Sequence, residues 1–85
     1  MAGEESNEGM AQDERVEAAL SAALGLTGRQ AAIMRCLLAG STNKQIGSEL
    51  GISPYTVRDH IANLMHKLRA SSRHELKKIA AAVVE

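Results

Sequence analysis

Thr42-Asn-Lys-Gln-Ile-Gly-Ser-Glu-Leu-Gly-Ile-Ser-Pro-Tyr-Thr-Val-Arg-Asp-His-Ile-Ala-Asn-Leu-Met-His-Lys-Leu68 is the stretch on which the reading of the fold turns. Its first eight residues or so read as a short helix opened by Thr42 and stopped by Gly51. Ser53-Pro54 then starts a longer helix, with a cap residue followed by proline where a missing N–H costs nothing. On that longer helix Val57, Ile61, Leu64 and Leu68 repeat at four, three and four, marking one buried stripe. Tyr55, Arg58, Asp59 and Ala62 share the opposite face at i, i+3, i+4 and i+7. A helix held this way after a tight turn has the geometry that enters a DNA major groove.

The flanks extend the pattern. Thr27 precedes Gln30 by three residues, as Thr42 precedes Gln45 and Ser72 precedes Glu75. Each pair matches a capping box, in which the hydroxyl satisfies an orphan amide and the later side chain reaches back. Gly40 and Gly51 supply left-handed stops. Helices are therefore expected near 28–39, 43–50, 54–69 and 73–84. Ile33, Met34 and Leu37 give the first of these an inward face. Gly47 is read as permitting the close crossing of two short helices, against a plain helix-weakening glycine that costs about 1 kcal/mol relative to Ala.

Composition sets limits on both fold and chemistry. Eighty-five residues with one aromatic, Tyr55, and no Phe or Trp favour a core of Leu, Ile, Val, Met and Ala between helices. The single cysteine, Cys36, cannot form an internal disulfide or a paired-cysteine metal site, and is expected to be an inert buried thiol. His60, His66 and His74 have no partners at ligand spacing, so no metal or cofactor is expected. No Ser/His/Asp set, phosphate loop or carboxylate pair supports an enzyme. The chain has neither a membrane-length apolar run nor a signal sequence, which points to the cytoplasm.

The formal net charge of zero conceals two opposed halves. Residues 1–25 carry six acidic side chains against Arg15, a net −5; residues 26–85 carry nine basic against four acidic, a net +5. The second part attracts phosphate and the first repels it. Residues 1–12 read as a disordered acidic tail. Residues 13–25 place Val16, Ala19, Leu20, Ala23 and Leu24 on one helical face. They are read as an amphipathic helix packed on the domain, a dimer contact, or a linker. Residues 26–85 form the domain proper.

Three runs carry a family resemblance: Leu26-Thr27-x-Arg29-Gln30; Gly40-x-Thr42-Asn43-Lys44-Gln45-Ile46; and Leu50-Gly51-Ile52-Ser53-Pro54-x-Thr56-Val57-Arg58-x-His60-Ile61. Asn63-Leu64-x-x-Lys67-Leu68 and Ser71-x-Arg73 close it. Residues 26–76 are similar to the LuxR/NarL-type (GerE-like) helix-turn-helix domain, over about three-fifths of the chain and without gaps. The resemblance implies an all-α, four-helix bundle, to which residues 13–25 can add an extra N-terminal helix, serving as the output domain of response-regulator or quorum-sensing-type transcription regulators. It also implies binding to double-stranded DNA as a homodimer paired through the last helix. The chain departs from the family pattern at Gln30 (usually Glu), Cys36 (usually Leu), Gly47 (usually Ala) and Arg69 (usually Gly). It also places an acid, Asp59, in a base-facing position.

Helix geometry and the resemblance together assign the candidate site. Arg58 can grip guanine with two hydrogen bonds, Asp59 can accept from cytosine, Ala62 can meet a thymine methyl, and Tyr55 either packs or reaches the backbone. Thr56, Asn63 and Lys67 on the flank, with Thr27, Asn43 and Lys44 from the other helices, are placed for phosphates. Leu76, Ile79, Ala80, Val83 and Val84 are assigned to the dimer interface. The competing reading is a protein-interaction module docking on another regulator or on RNA polymerase, as sigma-factor domains with a similar motif do.

Overall fold

The computed structural model describes residues 8–85, with side chains from residue 12 onward. Five helices lie in this range: α1 (Glu8–Leu24), α2 (Gly28–Leu38), α3 (Asn43–Leu50), α4 (Pro54–Leu68) and α5 (Arg73–Val84). There is no strand among the described residues, so the fold is the expected all-α bundle with its extra helix. The last four helices fall within a residue of the ranges expected from the caps. The expected acidic tail over residues 1–7 lies outside the described residues. α1 begins at Glu8 and so takes in residues that the sequence assigned to the tail. Met10, Ala11 and Gln12 are good helix formers, which favours the longer helix.

Thr27 and Thr42 form complete capping boxes: each hydroxyl accepts from the N–H three residues on, and each Gln oxygen accepts from the cap's own N–H. Ser53 caps α4 through the Thr56 N–H, with Pro54 in the first turn. The third box needs correction. Ser72 does accept from the Glu75 N–H, but the Glu75 carboxylate accepts from the N–H and hydroxyl of Ser71, one residue earlier than the box requires. Ser72 is fully extended (φ −154°), which leaves Ser71 within the carboxylate's reach.

Gly51 ends α3 in the left-handed conformation (φ 71°). The role of Gly47 is resolved by what surrounds it. A Cβ there would lie 2.5 Å from the Ile52 carbonyl oxygen, so the close approach is to the turn itself more than to the neighbouring helix. The N–H groups of Gly51 and Ile52 both donate to the Gly47 carbonyl, locking turn to helix. An Ala there gains about 1 kcal/mol of helix propensity, and accommodating it requires the turn to move outward.

α2 is the hub, packing on α1, α4 and α5, while α3 packs on α4. Its Ile33, Met34 and Leu37 are buried with Ile46 of α3, Val57, Ile61 and Leu64 of α4, and Leu76 and Ala80 of α5. Leu68, placed on the α4 stripe by sequence, is only half-buried at the helix end. α1 adds Leu20, which has no exposed surface, with Val16 and Leu24 half-buried beside it; Ala23 faces solvent. α1 lies against both α2 and α5.

That position corrects part of the dimer assignment. Leu76 and Ala80 are completely buried inside the protomer, so neither has surface to offer a partner. Val83 and Val84 are half-buried and line a shallow groove with Val16 and Ala19 of α1. Ile79 is half-buried against the core. Periodicity on α5 identified an apolar face, but α1, distant in sequence, takes up much of it.

Candidate nucleic-acid interface

α4 is fixed from its buried side by Val57, Ile61 and Leu64, and its outward face is solvent-exposed. Tyr55 is 71% exposed, the one large hydrophobic so displayed among the described residues. The Arg58 and Asp59 side chains are 68% and 73% exposed, and Ala62 is also exposed. Arg58 is held loosely on both sides. Its guanidinium lies 5.6 Å from the Tyr55 ring centroid and 3.7 Å from an Asp59 oxygen. At such exposure neither contact stabilises the fold appreciably, since surface pairs are worth about 0–1 kcal/mol. Arg58 is therefore free to exchange them for a base edge.

The flanking candidates divide by what they touch. Lys44 and Asn63 are exposed with no protein partner among the described residues. Thr27 and Thr56 are exposed; the Thr27 hydroxyl accepts in its capping box, which leaves its O–H to donate elsewhere. The Thr56 hydroxyl lies 3.0 Å from that of Ser53. Lys67 donates from Nζ to the Gly25 carbonyl at 2.6 Å, tying the end of α4 to the α1–α2 connection. Asn43 is half-buried, and its oxygen accepts from Arg73.

Three arginines do work that sequence spacing does not show. Arg29 donates to the Leu50 carbonyl at 3.2 Å, capping α3 from α2. Arg73 holds the start of α5 to the α2–α3 turn through the Ser41 carbonyl at 2.6 Å. Arg35 joins three helices, bonding Glu17 of α1 at 2.6 Å and Glu49 of α3, with Asp13 at 3.8 Å. Burial works against the Arg35 charge, but hydrogen bonds to Glu49 and Glu17 outweigh it and raise its pKa. These partners are 14 to 32 residues apart, beyond the reach of any helical periodicity. Cys36, buried next to Arg35, has its thiol pushed up by burial, against the pull of the Arg35 charge. His60 is half-buried while His66 and His74 are exposed, and no group of metal-ligating side chains occurs among the described residues.

A capped short helix, a glycine-locked turn and a second helix with an exposed polar face make a helix-turn-helix. The family model for bacterial regulatory proteins, luxR family, matches residues 24–80. The chain belongs to the luxR family. It is 40% identical to the transcriptional regulatory protein FixJ of Azorhizobium caulinodans over 78 residues, covering 92% of this chain and 36% of that one. It is 44% identical to the spore germination protein GerE of Bacillus subtilis over 50 residues, covering 59% and 68%. The transcriptional regulatory protein UhpA of Escherichia coli is 47% identical over 51 residues, covering 60% and 26%. Against the first of these relatives the chain spans about a third of the curated protein's length. No solved structure matches it significantly. As a luxR-family domain it is a DNA-binding module of transcription regulators and not an enzyme. No helix among the described residues is long and apolar enough to cross a membrane.

Proposed function

We propose that this luxR-family domain reads duplex DNA by placing α4 in the major groove, as a weakly associating homodimer, and so regulates transcription in the cytoplasm. One observation carries the reading. The face bearing Tyr55, Arg58, Asp59 and Ala62 is exposed, while the opposite face is locked in the core. Arg58, Asp59 and Ala62 have the chemistry to address base edges, and Tyr55 stands at their head. Thr27, Asn43, Lys44, Thr56, Asn63 and Lys67 surround them as phosphate contacts that set register without reading sequence. The relatives named as transcriptional regulators support the role, and the +5 charge of residues 26–85 supports the partner.

Pairing is proposed through the partly exposed end of α5, with Ile79, Val83 and Val84 as its apolar residues and α1 alongside. Selection of bound sequences from a random duplex library, followed by polarisation titration at two salt concentrations, tests the reading. A selected motif with strongly salt-dependent affinity is expected. An absence of binding even at low salt would leave only the interaction module, with RNA polymerase or another regulator as partner.

A further inference from the structure

Asn43 and Arg73 stand at the starts of two helices 30 residues apart, and their side chains meet. Arg73, the first residue of α5, donates Nη2–H to the Ser41 carbonyl at 2.6 Å and Nη1–H to Oδ1 of Asn43, the first residue of α3. Among the described residues no carboxylate pairs with Arg73, so Asn43 is the side-chain acceptor that it uses. An asparagine amide can ordinarily be turned either way, because oxygen and nitrogen occupy the same shape. A guanidinium settles the choice, since it can only donate. The Asn43 oxygen therefore faces Arg73 and its NH2 faces away. That NH2 has no protein partner among the described residues, and since none of these leaves a buried side-chain polar atom unpaired, it is open to solvent.

We propose that Arg73 is a positioning residue for DNA binding: without touching DNA, it holds the Asn43 amide with both N–H donors outward, toward a phosphate oxygen. A phosphate is an acceptor-only group, so the opposite orientation would repel it. The proposal rests on the phosphate role of Asn43 given above. The Ser41 bond alone would make Arg73 a simple tie between α5 and the α2–α3 turn, so the two roles need separate readouts.

A double-mutant cycle on the full chain separates them, using polarisation titration of a random-sequence duplex at fixed low salt, with thermal melting as control. Asn43→Asp keeps the acceptor toward Arg73 and removes both donors. Melting should be unchanged or higher, while affinity falls about tenfold or more, from the lost hydrogen bond to a charged group together with the repulsion that the new carboxylate adds. Arg73→Met should weaken binding severalfold in the wild-type background but by less than about twofold in an Asn43→Ala background. The salt slope should stay constant, because Arg73 displaces no counterion. If Arg73→Met is unfolded, Arg73→Lys, which keeps the charge and donors but not the fork, takes its place in the cycle. Equal losses in both backgrounds, or a slope lowered by about one unit, would overturn the positioning role and leave Asn43 as a phosphate contact. Full affinity in Asn43→Asp and Asn43→Ala would overturn both.

Discussion

Arg69 ends α4 in the left-handed conformation at φ 55°, the one non-glycine residue with positive φ among those described. That conformation crowds Cβ against the following carbonyl, a cost of about 1–2 kcal/mol. Arg69→Gly removes it but loosens the unfolded chain, an opposing effect of about 0.4–1 kcal/mol. The expected net gain, about 0.5–1 kcal/mol, should raise Tm by several degrees in calorimetry for a domain of this size. Arg58 and Lys67 provide a second residue-scale test. Arg58→Ala should cost about 1–3 kcal/mol on the selected site and far less on random duplex, relaxing choice at one base pair. Lys67→Ala should weaken all sequences alike and lower the salt slope by about one unit, with a small melting loss from the Gly25 contact. Equal losses from both substitutions on every duplex would contradict placing α4 in the groove.

The polar ties between elements are made chiefly by arginines. Arg35 is the cation binding α1 and α3 to α2, with its side chain 15% exposed. Arg35→Met keeps much of the buried stem and orphans Glu17 and Glu49, so a loss of about 1–3 kcal/mol is expected, and half-exposed Glu49 holds it toward the lower end. Amide exchange should rise first along α1, since Leu20 alone among its described side chains is fully buried. At α5, hydrogen bonds from the Ser71 hydroxyl and N–H hold the Glu75 carboxyl below its ordinary value of 4.5. The folded state thus favours the anion: the contribution is complete above about 4.5 and is lost as pH falls through the lowered folded value. Melting followed down an acid series should show a shallower fall for Glu75→Gln than for wild type, and parallel curves would show that the cap bonds do not persist in solution.

At the scale of the whole molecule, α1 decides how much of α5 is left for pairing. With Leu76 and Ala80 internal and Val83 and Val84 shared with Val16 and Ala19, few apolar residues of α5 are left to build the about 1,200–2,000 Å² of a stable interface. Sedimentation should therefore show a monomer at micromolar concentration that pairs only at much higher concentration or on DNA with two half-sites. Val84→Glu should abolish that pairing and leave single half-site binding intact. A strict monomer on paired half-sites would refute the homodimer.

Local chemistry determined the helices. Thr27, Thr42 and Ser53 cap their own next turns, Pro54 and Gly51 fix single dihedrals, and the α4 stripe follows from helical period; all act within about four residues, a range that sequence displays. The exposed face of α4 was legible for the same reason, as the complement of its buried stripe. The tertiary structure alone decided what depends on distant partners. Glu75 serves Ser71 because of the angle at which the chain enters α5. Gly47 answers to the Ile52 carbonyl, Asn43 to an arginine 30 residues away, and the apolar face of α5 to Val16 and Ala19 of α1, far upstream in the chain. Periodicity shows that a face is apolar but not which surface covers it, because burial is set by whichever surface the closed chain brings there.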